Sequence, residues 1–254
     1  MSTPGIALHV NNNRGITLHT NGVRGITLGG SRGSAYFNGA SSLAVPATFS
    51  NTGSSPFTWE CWAYSTVPWP AMQAGIFTSA NQYQGLPFFL GSITDLGYPN
   101  NLFFGYDQRI GSNHAIWAGA QSTGAGGILQ PNTWNYIAAA YDGSTLSLYL
   151  NGTLIATNIL AWNINPTTQP LLIGTGPNGG PFNGYLTDIR YVFGSTFIDP
   201  AQSTISVPTT TLKKIPGTQL LMNFSSSVDL LTDSSDNNYS IGNGGVTWSP
   251  NTPF

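Results

Sequence analysis

Between Gly127 and Tyr191, short apolar runs alternate with pairs of turn-forming residues. Trp134, Tyr136, Ala138 and Ala140 interleave with Asn135, Ile137 and Ala139, and Leu146, Leu148 and Leu150 mark one face of the next run. Asp142-Gly143 and Asn151-Gly152 divide these runs. Such pairs accept the positive φ angles of tight hairpin turns, so the pattern predicts an antiparallel meander. Upstream, Phe57, Trp59, Cys61 and Ala63 share one face of a strand, and Trp62 and Tyr64 share the other. Apolar load on both sides suits an inner sandwich strand. Ser34 to Pro46 reads as two strands about a turn at Asn38-Gly39. Gly75 to Ser79, Pro87 to Gly91 and Asn101 to Tyr106 read as further short strands, and Leu220, Met222 and Phe224 alternate as in another. No helical 3.6-residue period interrupts them, which predicts an all-β chain.

Gly5 to Gly33 repeats one unit: GIALHVNNNR, GITLHTNGVR, then GITLGGSRG. Ile6, Ile16 and Ile26 align, as do Leu8, Leu18 and Leu28. Each unit reads as a short strand with Ile-x-Leu on one face, ended by an Asn/Gly turn. One unit cannot bury its apolar stripe alone; such units gain stability by stacking on one another or on other chains. Residues 1–33 are therefore expected to form an anchoring or oligomerising arm through these six side chains. A sandwich is expected over residues 34–254.

Composition changes the picture at the surface. Of 254 residues, 40% are hydrophobic and 12% aromatic, enough for a sizeable core, yet only 6% are charged. An ordinary soluble domain has about 25%. A surface of Asn, Ser, Thr and Gly hydrogen-bonds well but repels little, which suits a protein held in an assembly or working outside a cell. The formal net charge is -2 and the basic residues are scattered, so no nucleic-acid partner is expected. The single cysteine, Cys61, excludes an internal disulfide and reads as a small buried hydrophobe. An uncrosslinked chain fits folding in a reducing cytoplasm. The sequence shows no charged-then-apolar leader and no apolar run near the ~20 residues of a membrane span, so neither export nor membrane insertion is expected.

Gly174, Gly176 and Gly179 spell G-x-G-x-x-G. The strand pattern LLI precedes them, but another strand pattern follows, and without a helix N-terminus a pyrophosphate has no dipole to rest on. The run is expected to be a glycine-rich loop between strands. No zinc-type Cys/His spacing and no defensible Ser–His–Asp cluster is present. The aromatic residues expected in loops are Trp69, Tyr83, Tyr98 and Trp117. Their rings could stack on sugar C–H faces with Asn and Gln alongside, or plug the sandwich ends.

The succession of FTWECWAY, WNYIAAAYDG, LSLYLNGT and GYLTDIRYV resembles the laminin-G-like domains of the concanavalin A-like lectin–glucanase superfamily, of the type found in phage and other viral structural proteins. The resemblance implies an antiparallel jelly-roll β-sandwich, an extended strap across the sheet after Tyr191, and a C-terminal strand that closes the sheet. It implies binding rather than turnover. Glucanases of this scaffold place acids two apart on one strand, whereas Glu60 is the only glutamate and Asp188 has Arg190 two along. Retaining hydrolysis commonly uses two carboxylates ~5–5.5 Å apart, so no catalytic residue is assigned. Relatives also bind calcium through rim aspartates. Asp95, Asp107, Asp142 and Asp188 are available, but Thr187 replaces one acid of the related Gly-Tyr-Ile-Asp-Asp-Ile-Arg motif. Calcium stays open without an assigned site, and no other cofactor is expected. The expected function is a non-enzymatic virion structural protein: a capsid decoration, tail or fibre component. The arm would join other virion proteins and drive homo-oligomerisation, with a trimer favoured, and the sandwich would face outward toward cell-surface glycans. A carbohydrate-binding adhesin or lectin of a microbial surface is the alternative, and a glycoside hydrolase comes third.

Overall fold

The alternation in the sequence becomes three antiparallel sheets in a computed structural model. It describes residues 32–46, 55–68, 75–79, 86–92, 101–109, 115–123, 128–160, 170–176 and 180–254. Only the backbone is described for 6–10, 16–20, 23–27, 79, 86–88, 92, 106–109 and 115–118. The strands are β1 (Ile6–Val10), β2 (Ile16–Thr20), β3 (Val23–Thr27), β4 (Ser34–Asn38), β5 (Ser42–Val45), β6 (Phe57–Ser65), β7 (Gly75–Ser79), β8 (Leu86–Ser92) and β9 (Leu102–Arg109). They continue as β10 (Ala115–Gln121), β11 (Trp134–Tyr141), β12 (Thr145–Leu150), β13 (Thr153–Ile159), β14 (Leu171–Ile173), β15 (Asn183–Phe193), β16 (Thr218–Met222), β17 (Gly242–Gly244) and β18 (Thr247–Ser249). The one helical feature described is a 3-10 turn at Ser227–Asp229.

Two of the sheets form the sandwich. One runs β10-β9-β8-β7-β14-β5-β17; the other runs β13-β12-β11-β6-β15-β4-β18, with β16 added on β15. The core between them takes Phe57, Trp59, Cys61 and Ala63 from β6, Ile137 and Ala139 from β11, and Leu146, Leu148 and Leu150 from β12. Leu43, Phe77, Leu90, Phe104 and Ile173 face them from the other sheet. Trp59 stacks on Tyr191 at 4.3 Å between centroids and lies 4.6 Å from Phe77, joining the two layers. Burying one side chain of this size is worth ~1.5–3 kcal/mol.

The turns show where local chemistry sets the path. Asn151 (φ 50) and Gly152 (φ 82) are both left-handed, the requirement of a two-residue type I′ hairpin between β12 and β13. At Asp142-Gly143 only the glycine is left-handed. There Asp142 Oδ1 accepts bonds from the Ser144 and Thr145 amides at 2.8 and 2.7 Å, so the carboxylate builds the turn. The turn at Asn38-Gly39 does not close a hairpin: β4 and β5 belong to different sheets. The C-terminal part closes both sheets rather than one, because β16 pairs β15, β17 pairs β5 and β18 pairs β4.

The arm strands form their own sheet in the order β1-β2-β3, with Leu8 opposite Leu18. The third strand starts at Val23, earlier than the repeat implies, and a register irregularity separates Thr17 from His19 where β2 meets it. Ile6, Leu8, Ile16, Leu18 and Ile26 lie on these strands; Leu28 lies outside the described residues.

Candidate functional site

The outer face of the eight-stranded sheet carries the site, and a bulge in β15 builds its floor. Thr187 lies opposite Trp62 and Arg190 opposite Glu60, so two residues of β15, Asp188 and Ile189, span the single residue Cys61. If β15 kept regular alternation past Thr187 instead of bulging, Ile189 would turn outward and Arg190 inward, since a one-residue slip exchanges the two faces. Asp188 takes the strain at φ 50, Ile189 stays in the core, and Arg190 meets Glu60.

Glu60 and Arg190 are 2% and 3% exposed. Arg190 Nε and Nη2 donate to Glu60 Oε1 at 2.7 and 2.6 Å, and Tyr136 Oη donates a short bond to Oε2. Burial, then the charge of Glu60, raises the Tyr136 phenol well above its ordinary range, so it stays a donor. Burial likewise raises the Cys61 thiol, which leaves it unreactive. The third guanidinium nitrogen, Nη1, donates to Lys213 O at 2.6 Å, and the Phe197 ring caps the guanidinium at 4.9 Å.

Those last two contacts come from the strap predicted after Tyr191. It is tied down along its length. Tyr149 Oη donates to Asp199 O and Gln202 O, Ser147 Oγ donates to Pro200 O, and the Ile205 amide donates to Gly152 O. Ile198, Ile205 and Val207 pack on Trp62, Tyr136, Ala138 and Tyr149 as a second, smaller core. Asp188 Oδ1 accepts the Leu212 amide at 3.0 Å and Asn223 Nδ2 at 2.6 Å. Burial raises the Asp188 carboxyl to about 6 even against these bonds. Between strap and sheet lies a cleft of about 660 Å³ with Glu60, Tyr136 and Arg190 at its base and Phe197, Gln202 and Thr211 in its walls. Phe197 is 55% exposed. Both Glu60 oxygens are engaged, so Glu60 is free to act neither as base nor as nucleophile.

Beyond the strap, the same face carries an aromatic row. Tyr36, Tyr185, Tyr64 and Trp134 are direct cross-strand partners on β4, β15, β6 and β11. Their centroids are 5.0, 5.5 and 5.6 Å apart in that order, and all four are half-buried.

A profile of the concanavalin A-like lectin/glucanases superfamily matches residues 37–193, from β4 through β15. The chain belongs to this superfamily. Solved structures share the fold. A Bacteroides ovatus protein described provisionally as carbohydrate binding is 14% identical, with a TM-score of 0.55 over 92% of this chain and 67% of that one. Domain 4 of an extracellular GH43 arabinanase from Geobacillus stearothermophilus, in complex with arabinotriose, is 15% identical, with a TM-score of 0.49 over 79% and 80%. Domains LG4-5 of the mouse laminin alpha1 chain are 11% identical, with a TM-score of 0.45 over 76% and 54%. At these identities the likeness concerns fold alone. A search of curated protein sequences finds no match.

For this lectin/glucanase-type sandwich, the aromatic residues singled out in the sequence fare differently from the sheet residues. Trp69, Tyr83 and Tyr98 lie outside the described residues. Trp117 is not in a loop: it sits within β10, paired with Asp107 at the edge of the seven-stranded sheet. The run Ala115-Ile116-Trp117-Ala118 has the apolar content of a strand, and the flanking Asn113-His114 and Gly119 obscured it. Nothing in the sequence marks Tyr36, Tyr64, Tyr185 and Trp134 as a group. Their strand positions were visible, but only the sheet order brings residues 36, 64, 134 and 185 together.

Two of the acids singled out for calcium, Asp188 and Asp142, are committed within the protein. Asp188 is buried and committed to Leu212 and Asn223, and Thr187 Oγ1 donates to Gly33 O and Asn223 O at 2.9 Å each. Asp142 is consumed by its turn. Calcium takes 6–8 oxygens, and among the described residues no group of three or more His, Cys, Asp and Glu is placed to hold a metal. Asp95 and the Asp107 side chain lie outside the description. Among the described residues no helix is long and apolar enough to cross a membrane.

Proposed function

We propose that this chain is a non-enzymatic structural component of a virion, whose sandwich binds carbohydrate and whose residues 1–33 anchor and oligomerise it. The superfamily takes its name from two activities, sugar binding and glucan cleavage. The observation that favours binding is the state of Glu60: the chain's only glutamate is buried, with both oxygens accepting bonds from Arg190 and Tyr136. The fold relative from Bacteroides ovatus is provisionally described as carbohydrate binding, which agrees with this reading.

The arm supports the assembly half of the proposal. Three strands of five residues each form a sheet of their own. A short repeated unit with an apolar Ile-x-Leu stripe gains stability by stacking that stripe on a partner. With only 6% charged residues, the chain also has little repulsion to keep copies apart. Multi-angle light scattering of the full chain beside a variant lacking residues 1–33 tests the idea. An oligomer, with a trimer favoured, is expected for the full chain. The deletion is expected to be a monomer with the sandwich's melting transition intact. A monomeric full chain would remove the assembly role.

A further inference from the structure

The half-buried row of Tyr36, Tyr185, Tyr64 and Trp134 has an unusual polar edge. The Trp134 indole N–H is spent on Asn251 Oδ1 at 3.3 Å. Among the described residues, the hydroxyls of Tyr36, Tyr64 and Tyr185 have no hydrogen-bond partner. Buried tyrosines elsewhere in the chain do use theirs, as Tyr136 and Tyr149 show. Three unspent donor–acceptor groups therefore stand in line with apolar ring surface, a combination that matches the alternating C–H and O–H faces of sugars.

The dimensions select the kind of ligand. Three strand spacings of ~4.8 Å put the terminal rings roughly 14 Å apart, and the row is one residue pair, about 7 Å, wide along the strands. The strip thus covers on the order of 100 Å², against ~800 Å² per partner in a standard protein interface. It is bounded on both sides. Toward the strap, Phe254 closes edge-on over Trp62 at 6.1 Å, and toward the rim Thr66 bonds Asn183. Its ends are Thr247, the cross-strand partner of Tyr36, and Asn251. The side chains of the strip and of these bounding residues are uncharged, and the Arg32 guanidinium rests over the Phe254 ring at 5.4 Å. A narrow, neutral, linear strip suits a linear chain of small rings, with Thr247 and Asn251 to orient the two ends.

We infer that the row Tyr36–Tyr185–Tyr64–Trp134 is a binding strip for a neutral, linear oligosaccharide, distinct from the cleft beneath the strap. The inference rests on the carbohydrate-binding reading above and adds where the sugar lies and what charge it bears.

The test is calorimetric titration of the full chain with neutral gluco-, galacto- and manno-tetraoses, and with sialyllactose as a charged probe. At least one neutral tetraose should bind, and sialyllactose should bind no tighter. Tyr64→Ala and Tyr185→Ala should each weaken that binding roughly tenfold. Tyr64→Phe and Tyr185→Phe keep the ring and the packing, and should weaken it a few-fold through the hydroxyl alone. These variants keep the test valid should an alanine variant misfold, and thermal melts check each protein. If the wild type binds a tetraose and all four variants bind it equally, the strip is overturned while carbohydrate binding stands. If no sugar binds, strip and reading fall together. A sedimentation dimer that Tyr64→Ala abolishes, without sugar binding, would overturn the strip in favour of a protein interface.

Discussion

Asp188→Asn should make the protein more stable at neutral pH and remove a pH dependence that the wild type shows between about 4 and 6. Asp188 is 1% exposed and its carboxyl is raised from 3.8 to about 6, chiefly by burial. In that window the native state holds a proton that the unfolded chain has already released. Stability falls with rising pH wherever the native state binds more protons. The contribution of Asp188 is therefore complete below about 3.8 and is lost as pH rises through about 6. Two units at 1.36 kcal/mol each give on the order of 3 kcal/mol. Asparagine keeps an acceptor for the Leu212 amide and Asn223, tolerates the φ of 50 at this bulge, and has no charge to desolvate. Urea unfolding of both proteins at pH 4, 5, 6 and 8 isolates the effect, because other carboxylates cancel in the difference. The two should be nearly equal at pH 4, with the variant up to about 3 kcal/mol more stable at pH 8, equivalent to roughly 6–12 °C in Tm for a chain of this size. A flat difference, or a wild type more stable at pH 8, would refute the claim that burial dominates at Asp188.

Three further outcomes follow from the same face. Arg190→Met should destabilise by ~3–5 kcal/mol, since it leaves Glu60 buried without its cation; chemical denaturation of Arg190→Met alongside Glu60→Gln/Arg190→Met should show the double variant recovering part of the loss. Gly184→Ala should cost at least ~1–3 kcal/mol, because the added Cβ would lie 1.9 Å from the Tyr64 carbonyl at a φ of 148, and a thermal melt checks it. Tyr149→Phe should loosen the strap by ~1–2 kcal/mol through the lost bonds to Asp199 O and Gln202 O, read as faster hydrogen exchange at Ile205.

The fold was legible where one strand's own pattern was enough. The inward set Phe57, Trp59, Cys61 and Ala63 and the hairpin at Asn151-Gly152 needed only local periodicity and turn chemistry. The strap and the closing strand near Leu220 followed from the order of motifs. What lay hidden depends on long-range register. The bulge at Asp188 decides which residue faces Glu60, yet nothing in TDIR marks an extra residue until β6 lies alongside. The tyrosine row draws on positions 36, 64, 134 and 185, and its common level exists only because β4, β15, β6 and β11 are neighbours in that order. Trp117 was misplaced for a related reason: among the described residues β10 is the edge strand of its sheet, next to β9, so its sequence has no need of clean alternation.

A native mass spectrum of the full chain with the neutral tetraoses tests the account most directly, because one measurement reads assembly, binding and turnover. The account predicts a homo-oligomer carrying intact tetraose. Shortened sugars in the spectrum, or a bare monomer without any adduct, would contradict it.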